Sequence, residues 1–310
     1  MRHLLGQGWK VRALTRNPDS KSARELRDLR AELVRGDFDD RASLKQALDG
    51  IYGVFMPSFQ VNMRATPEIE IKYGIALLEA AKDAGVRHFV YISEIGADKN
   101  TDIPYLESKR QIESHIRELG LPATIVRHAF FVDWLVSSMG STLWRGLEKG
   151  LKQNQTIQVI SLDDLGAFAA FVFNDSKQFI GREIEIAGDE ASLEQMSQAY
   201  RRVKGTELKS TWLPYWLLTR MGNLESSFNI CPCKSLAQIL RPCGRSTPTS
   251  GTLKMDCVPR NQCQLHLHLE RIENHENILE YRRCIADPCR RRLVPARDQR
   301  LTRKYYVGSD

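Results

Sequence analysis

RHFVYISEIGADKNTDIPYLESK, residues 87–109, contains the clearest strand, loop and helix signals in this chain. It opens with an apolar run, Phe89 to Ile92, which is typical of a strand buried within a parallel sheet. The run ends at Ser93 in a polar loop rich in Gly, Asp and Asn, and a helix begins near Tyr105. In open α/β sheets, ligands bind at the carboxyl ends of the strands, so this loop marks a candidate site.

Three residues of the stretch suit the reduction of a carbonyl group. Tyr105 and Lys109 are four residues apart and share one helical face, so the Lys109 ammonium is expected to favour the Tyr105 phenolate. Tyr105 would then serve as proton donor and acceptor, and the Ser93 hydroxyl would hydrogen-bond the substrate oxygen. Spacing alone supports equally well a surface Tyr and Lys on an ordinary amphipathic helix, because these residues are common.

Outward from this stretch, predicted strands alternate with predicted helices. Strands are expected at residues 9–14, 32–35, 52–56 and 123–127, and helices at 20–31, 42–48 and 67–84. Such alternation predicts βαβ units and an α/β fold with a parallel sheet. A smaller α+β lobe follows, with strands at 156–160, 182–187 and 207–213 and helices at 165–173, capped by Asp163, and 192–203, capped by Ser192.

The composition predicts a soluble globular protein. The chain has 310 residues, 42% of them hydrophobic and 27% charged, which suits one large domain or two moderate ones. The longest apolar run, Ala167 to Phe173, has seven residues and is too short for a membrane span. Because the first residues lack the apolar core of a secretory signal, we expect the protein in the cytoplasm or the nucleus.

The composition changes abruptly near residue 230. Residues 1–230 contain 30 Lys and Arg and 30 Asp and Glu, whereas the last 80 residues contain 15 and 8. All seven cysteines also lie in that last part. We therefore predict an unrelated, disordered tail over residues 229–310, which follows an α/β domain over residues 1–150 and a small α+β lobe over 151–228.

The tail allows several interpretations. One is a zinc module with the ligands Cys257, Cys263, His266 and His268, although the spacing of these residues matches no common zinc finger. Another is a basic arm for nucleic acid over residues 290–304, although no fold accompanies it. A disulfide framework would need an oxidising compartment. We favour a fourth interpretation, in which the sequence is translated out of frame or across an unremoved intron, and we assign no metal or nucleic-acid contact.

Several stretches together resemble one family. They are WKVRALTRNP (9–18), LVRGDFDD (33–40), SLKQALDGIYGVF (43–55), LLEAAKDAGVRHFVYIS (77–93), YLESK (105–109), LPATIVR (121–127), FFVDWL (130–135), DDLGAFAAFVF (163–173) and FIGREIEIAGDE (179–190). In order and spacing they resemble the NmrA-like family of atypical short-chain dehydrogenase/reductases. The resemblance covers most of residues 1–225 and implies a Rossmann-type doubly wound sheet that binds NADP(H).

The resemblance also implies the residues that contact the cofactor. A guanidinium at Arg16, next to Asn17, suits the adenosine 2′-phosphate, although an exposed Arg is more often a plain solvated charge. The other matched positions are Asp37 and Phe38 beside the adenine, Ser58 and Phe59 after the third strand, and Lys72, Lys109 and Phe131 near the phosphates, the nicotinamide ribose and the nicotinamide. For Phe131 the alternative is ordinary core packing.

Two departures from the family pattern matter. The family begins with a strand and a Gly-rich turn that cradles the pyrophosphate, whereas this sequence starts inside the helix that should follow. Gly6 and Gly8 are no substitute, because Val11 stands where the third Gly would be. The lost strand would lie between residues 9–14 and 52–56, and weak or absent NADP(H) binding is expected until it is restored. Many regulators of the family lack the Tyr of the YxxxK helix, which is present here as Tyr105.

Three functional hypotheses follow from the resemblance and these departures. The first is an NADP(H)-dependent redox sensor or regulator, whose cofactor occupancy changes the shape that it offers to a partner protein. The second is an NADPH-dependent oxidoreductase that uses Ser93, Tyr105 and Lys109. The third is a defective fragment with impaired cofactor binding.

Overall fold

The computed structural model describes residues 1–58, 66–137, 140–152 and 155–211, and the backbone of 253–254 and 304–308. Its strands are β1 (Lys10–Thr15), β2 (Glu32–Arg35), β3 (Gly53–Met56), β4 (His88–Glu94), β5 (Ala123–His128), β6 (Phe130–Phe131), β7 (Thr156–Ile160), β8 (Glu183–Ala187), β9 (Asp189–Ser192), β10 (Leu253–Lys254) and β11 (Lys304–Gly308). Eight of them form a parallel sheet in the order β10-β8-β5-β4-β3-β11-β1-β2.

Helices cover both faces of this sheet. The helices are α1 (Arg2–Gly6), α2 (Lys21–Asp28), α3 (Arg41–Leu48), α4 (Pro67–Asp83), α5 (Pro104–Leu119), α6 (Gly140–Gly150), α7 (Leu162–Asn174), α8 (Ser176–Phe179) and α9 (Leu193–Lys204). Buried residues of α3, α4 and α5 form one core with the sheet, and those of α1 and α7 form a second core. This arrangement confirms the predicted doubly wound α/β fold.

Strand β4 lies between β3 and β5 near the middle of the sheet, as its apolar run predicts. Its side chains alternate between the two cores, with Phe89 and Tyr91 in the core on the α4 and α5 side and Val90 and Ile92 in the other. Because side chains alternate along a strand, Ser93 is expected on the same side as Phe89 and Tyr91. That alternation determines the contacts of Ser93 described below.

The central position between β1 and β3 is filled by β11 from the far end of the chain. Its backbone pairs in parallel with residues 10–14 of β1 on one side and 53–55 of β3 on the other. This is the position at which the sequence predicts a missing strand, and none of the described strands of residues 1–211 occupies it. The cysteines of the tail and its proposed zinc ligands lie outside the described residues, as does most of the segment predicted to be disordered.

The smaller lobe contains a three-stranded sheet, in which β6 and β9 flank β7. Its core combines this sheet with a 3-10 helix (Val132–Val136) and helices α6 and α9. The buried residues are Val132, Leu135, Trp144, Leu147, Leu151, Ile157, Val159, Ala191 and Met196. Ser192 caps α9 as predicted, and Gln195 completes a capping box.

Three local predictions in this region are corrected. Helix α7 begins at Leu162 with Ser161 as its cap, whereas Asp163 instead contacts His3 at 2.8 Å. Residues 207–211 form no strand, and 212–213 lie outside the described residues. Strand β8, which was expected in the smaller lobe, instead pairs with β5 in the eight-stranded sheet. Helix α6 was not predicted from the sequence. In the parts of the chain that the structure describes, no helix has the length and apolar character needed to cross a bilayer.

Candidate functional site

The carboxyl edge of the sheet collects most of the predicted site residues. Arg16 follows β1, Phe38 lies in the loop after β2, Ser58 lies beyond β3, Glu94 ends β4, and His128 ends β5. Because these strands are parallel, their carboxyl ends meet at one edge, which is where ligands bind in folds of this class. The edge therefore brings together residues that are more than a hundred positions apart in sequence.

At one end of the edge, charged and aromatic groups surround Asp39. Lys72 forms an ion pair with its carboxylate, and the Tyr73 hydroxyl donates to Asp39 Oδ2 at 3.0 Å. The Tyr73 ring stacks on Phe38 with 5.2 Å between centroids. The hydrogen bond from Lys72 is the largest of the effects that lower the pKa of Asp39, and the charge of the exposed Arg16 adds to them. Two cations and an aromatic platform thus meet in one place.

The neighbouring loop residues Asn17 and Asp37 shape the backbone at this end. Asn17 Oδ1 accepts from the backbone N–H of Asp19 at 3.1 Å, and Asp37 Oδ1 accepts from that of Asp39 at 3.0 Å. Hydrogen bonds from a backbone N–H to an Asn or Asp side chain two residues earlier hold a loop in one conformation, even though the loop contains no helix or strand. Phe59, the other residue predicted near Ser58, lies outside the described residues.

At the other end, Lys109 takes part in a buried network of side chains. Its Nζ donates to Ser58 Oγ at 2.8 Å and to Glu70 Oε1 at 2.9 Å. Ser58 also donates to Glu70 Oε1, and Ser108 donates to Glu70 Oε2 at 2.9 Å. The side chains of Lys109 and Glu70 are both 0% exposed. The network joins the loop after β3 to helices α4 and α5.

Tyr105 does not form the expected hydroxyl contact with Lys109. The ammonium lies 4.6 Å from the centre of the Tyr105 ring, while the phenol hydroxyl donates to the Glu94 carboxylate. Burial, followed by the negative charges of Glu94 and Glu70, raises the pKa of Tyr105 well above its usual value. Lys109 was expected to favour the phenolate, but in this arrangement Tyr105 is held neutral.

Ser93 lies in a second buried network beneath the edge. It is 0% exposed, and its hydroxyl donates to Glu113 Oε1 at 2.7 Å. Arg127 from β5 forms a bidentate pair with Glu113 at 2.9 and 2.6 Å. Because buried polar groups need such partners, this network fixes α5 against β4 and β5. The Ser93 hydroxyl thus has an internal acceptor, away from a substrate.

Phe131 and His128 form the last part of the edge. Phe131 is half-buried, and its ring centre lies 4.0 Å from that of His128. His128 Nδ1 is 2.8 Å from the Ala129 carbonyl oxygen, so it donates there. Burial lowers the pKa of His128 to about 4, which leaves a neutral imidazole beside the aromatic ring.

Sequence reasoning missed three acidic residues, Glu70, Glu94 and Glu113. Each has an isoleucine next to it, as in PEIEIKYG around Glu70 and YISEIG around Glu94. A carboxylate on the inner face of an element must find a partner or a proton, which was the available signal. In α4, however, Glu70 has the appearance of an ordinary first-turn acid.

Comparisons with known proteins identify the family of the chain. The model of the NmrA-like family matches residues 1–243. The NmrA-like domain-containing oxidoreductase malD of Malbranchea aurantiaca is 26% identical over 235 residues, which cover 67% of this chain and 68% of that protein. The chain spans about two thirds of the length of the first curated relatives it matches.

Two solved structures share the fold. The triphenylmethane reductase of a Citrobacter species, complexed with NADP(H), has a TM-score of 0.55 at 21% identity, covering 71% of this chain and 76% of that chain. The negative transcriptional regulator NmrA in complex with NADP has a TM-score of 0.53 at 19% identity, covering 69% of this chain and 72% of that chain. A reductase and a regulator thus both resemble this protein in fold.

Proposed function

Because this chain belongs to the NmrA-like family, we propose that it binds NADP(H) along the carboxyl edge of its sheet and acts as a redox sensor or regulator. The observation that carries the proposal is the shared edge, with Arg16 and Lys72 at one end and Lys109 at the other. The solved relatives complexed with NADP(H) support the same cofactor class.

The charges at the Asp39 end support NADP(H) over NAD(H). An enzyme that selects NAD places an acid where it hydrogen-bonds the ribose 2′-hydroxyl. Here, the carboxylate of Asp39 is already paired with Lys72, and the exposed Arg16 contributes a further positive charge. A guanidinium can hold a phosphate through two parallel hydrogen bonds. We assign the adenosine 2′-phosphate to Arg16 and the adenine to the Phe38 side of this cluster.

The engagement of Ser93 and Tyr105 supports a sensor over a reductase. A residue that polarises a substrate carbonyl must present its donor to the bound substrate. The Ser93 hydroxyl instead donates to Glu113, and the Tyr105 hydroxyl donates to Glu94. In the proposed sensor, cofactor occupancy changes the surface offered to a protein partner in the cytoplasm or nucleus.

The second candidate is an NADPH-dependent reductase. Tyr105 is partly exposed, and the Lys109 ammonium lies 4.6 Å from its ring centre, which favours this alternative. Bound NADPH would supply the hydride to the carbonyl carbon. The Tyr105 hydroxyl would give its proton to the oxygen after turning from Glu94, and Lys109 would stabilise the phenolate left behind.

The test is a calorimetric titration of the chain with NADPH and with NADH. Both nucleotides should bind weakly, in line with the expectation from the sequence, but NADPH should bind more tightly than NADH. Arg16→Ala should remove about tenfold or more of that preference while NADH binding stays the same. Arg24→Ala, which removes another exposed guanidinium on α2, is the matched control. Equal affinity for the two nucleotides would refute the assignment of Arg16.

A further inference from the structure

Glu70 is a buried carboxylate near the proposed cofactor site, and several side-chain donors contact it. It lies in the first turns of α4 and is 0% exposed. Its Oε1 accepts from Ser58 Oγ at 2.7 Å and from Lys109 Nζ at 2.9 Å, and its Oε2 accepts from Ser108 Oγ at 2.9 Å. Three donors from the β3 loop and α5 thus converge on one side chain.

The same contacts determine the direction of the Lys109 ammonium. An ammonium has three N–H donors, and two of them are directed to Ser58 and Glu70. The ammonium also faces the Tyr105 ring at 4.6 Å. A flexible lysine side chain is therefore held in one orientation at the edge of the sheet.

We propose that Glu70 is the positioning residue of Lys109, holding the ammonium so that it is directed towards Tyr105 and the nicotinamide ribose. A buried charge without a partner is strongly disfavoured and tends to become neutral. The inference rests on the proposed NADP(H) site, which it deepens by assigning a residue that contacts the cofactor only through Lys109.

The other groups around Lys109 cannot replace Glu70. Glu94 is the other carboxylate whose charge acts on Lys109, but it accepts the hydrogen bond of Tyr105. Burial raises the pKa of Glu94, which disfavours its charged form. His128 also faces Lys109, and burial lowers its pKa to about 4, so it is neutral near pH 7. Glu70 is thus the carboxylate in direct contact with the ammonium.

The first test follows the hydrogen bonds of Lys109 by NMR of lysine ammonium nitrogens at neutral pH. In the wild-type chain the contacts with Glu70 and Ser58 should slow the exchange of the Lys109 ammonium protons with water, whereas in Glu70→Gln this protection should be lost and the signal should disappear. Glu68→Gln, the same change on the exposed face of α4, should behave as wild type. A persistent signal in Glu70→Gln would overturn the proposal.

The second test measures NADPH affinity by calorimetric titration. Glu70→Gln should weaken binding by about tenfold or more, because the Lys109 ammonium loses the contact that fixes its orientation. In a Lys109→Met background, the further change Glu70→Gln should have no effect on affinity, because Glu70 acts through Lys109. An equal loss in both backgrounds would indicate a merely structural role and would overturn the proposal.

The two tests separate this inference from the proposed function. If the wild-type chain binds no NADPH, the proposed function fails, while the NMR measurement still decides whether Glu70 holds the Lys109 ammonium in place. If Glu70→Gln does not fold, the double variant Glu70→Gln with Lys109→Met removes both charges and should fold, because an uncharged pair leaves no buried ion. If Glu70→Gln alone does not fold, the variant for both measurements is Ser108→Ala, which removes the donor to Glu70 Oε2.

Discussion

Lys109 lies 4.6 Å from the centre of the Tyr105 ring, under its face and not beside its hydroxyl. The ammonium is held there by Glu70 and Ser58, and the hydroxyl is directed to Glu94. A Tyr and a Lys at helical spacing therefore meet as predicted, but with a different contact. The distinction matters because a ring contact positions the two groups, whereas a hydroxyl contact would be needed for direct stabilisation of the phenolate.

Substituting Tyr105 by Phe separates the two functional candidates. If the protein is a reductase, Tyr105→Phe should lower the rate of NADPH consumption with a panel of carbonyl compounds by about a hundredfold or more. NADPH affinity should change by less than about twofold, because the Lys109 network does not involve the hydroxyl. Turnover that is equal in both proteins would show that Tyr105 donates no proton. No turnover on any carbonyl by the wild-type chain supports the sensor.

Replacing Asp39 by Asn should strengthen NADPH binding. The change removes a negative charge that pairs with Lys72, while the amide oxygen can still accept from the Tyr73 hydroxyl. Both Lys72 and Arg16 would then attract the 2′-phosphate more strongly, and we expect about a two- to fivefold lower Kd that depends on ionic strength. Calorimetry at low and high salt measures the effect, with the exposed Asp28→Asn on α2 as the control. Weaker NADPH binding in Asp39→Asn would contradict the electrostatic argument.

His88 should make the fold sensitive to acid. Thr124 Oγ1 donates to the Phe179 carbonyl at 2.7 Å, so it accepts from His88 Nε2 at 2.8 Å. His88 is thus neutral, and its buried Nδ1 has no hydrogen-bond partner among the described residues. Burial lowers the pKa of His88 from 6.5 to about 4.

The contribution of neutral His88 to the free energy of unfolding is therefore complete above pH 6.5 and is lost as the pH falls towards 4. The reason is that His88 binds its proton at a higher pH in the unfolded chain than in the folded chain. The loss for one such histidine is about 3 kcal/mol in the free energy of unfolding. His88→Gln, whose amide N–H can still reach Thr124, should flatten this dependence in urea titrations between pH 4 and 7. His128, which titrates similarly, should account for part of the remaining slope. An unchanged slope in His88→Gln would contradict this assignment.

Strand β11 should be essential to the stability of the sheet. Tyr306 pairs with Arg12 of β1 on one side and Val54 of β3 on the other. Proline at this position removes a backbone donor from the interior of a sheet, whereas alanine keeps it. We expect Tyr306→Pro to lower the free energy of unfolding by roughly 1 to 3 kcal/mol more than Tyr306→Ala does, as measured with urea. Equal stability of the two variants would mean that residues 304–308 do not complete the sheet.

The sequence predicts the sheet well where apolar periodicity is strong. Residues 32–35 form the expected strand, helix α4 ends within one residue of its predicted end, and helix α5 begins within one residue of its predicted start. The pairing of residues 304–308 with β1 and β3 was not predictable, because these partners are about 300 and 250 positions away, respectively, and no local pattern encodes that contact. The strand expected at residues 207–213 does not form over 207–211, since propensity is weak without a pairing partner.

The site was predictable in its position but not in its contacts. Parallel strands place Arg16, Ser93 and Lys109 near one edge whatever their neighbours are. The partners Glu70, Glu94 and Glu113 depend on which face of an element is buried against which other element. That information comes from the three-dimensional packing of α4 and α5 on the sheet. The packing of α5 on the sheet also explains the contact of Ser93. The alternation of β4 places Ser93 on the side that α5 covers, and its hydroxyl donates to Glu113 there.

The most direct test of the central claim is calorimetric titration with NADPH and with adenosine 2′,5′-bisphosphate, its adenosine half. If one dinucleotide spans the edge, Arg16→Ala should weaken both ligands by about tenfold, whereas Lys109→Met should weaken NADPH alone. Unchanged binding of the bisphosphate also confirms that the Lys109 variant is folded. NADPH affinity that is unaffected by Lys109→Met, or a wild-type chain that binds neither ligand, would contradict the account, and the latter result would support the fragment with impaired cofactor binding.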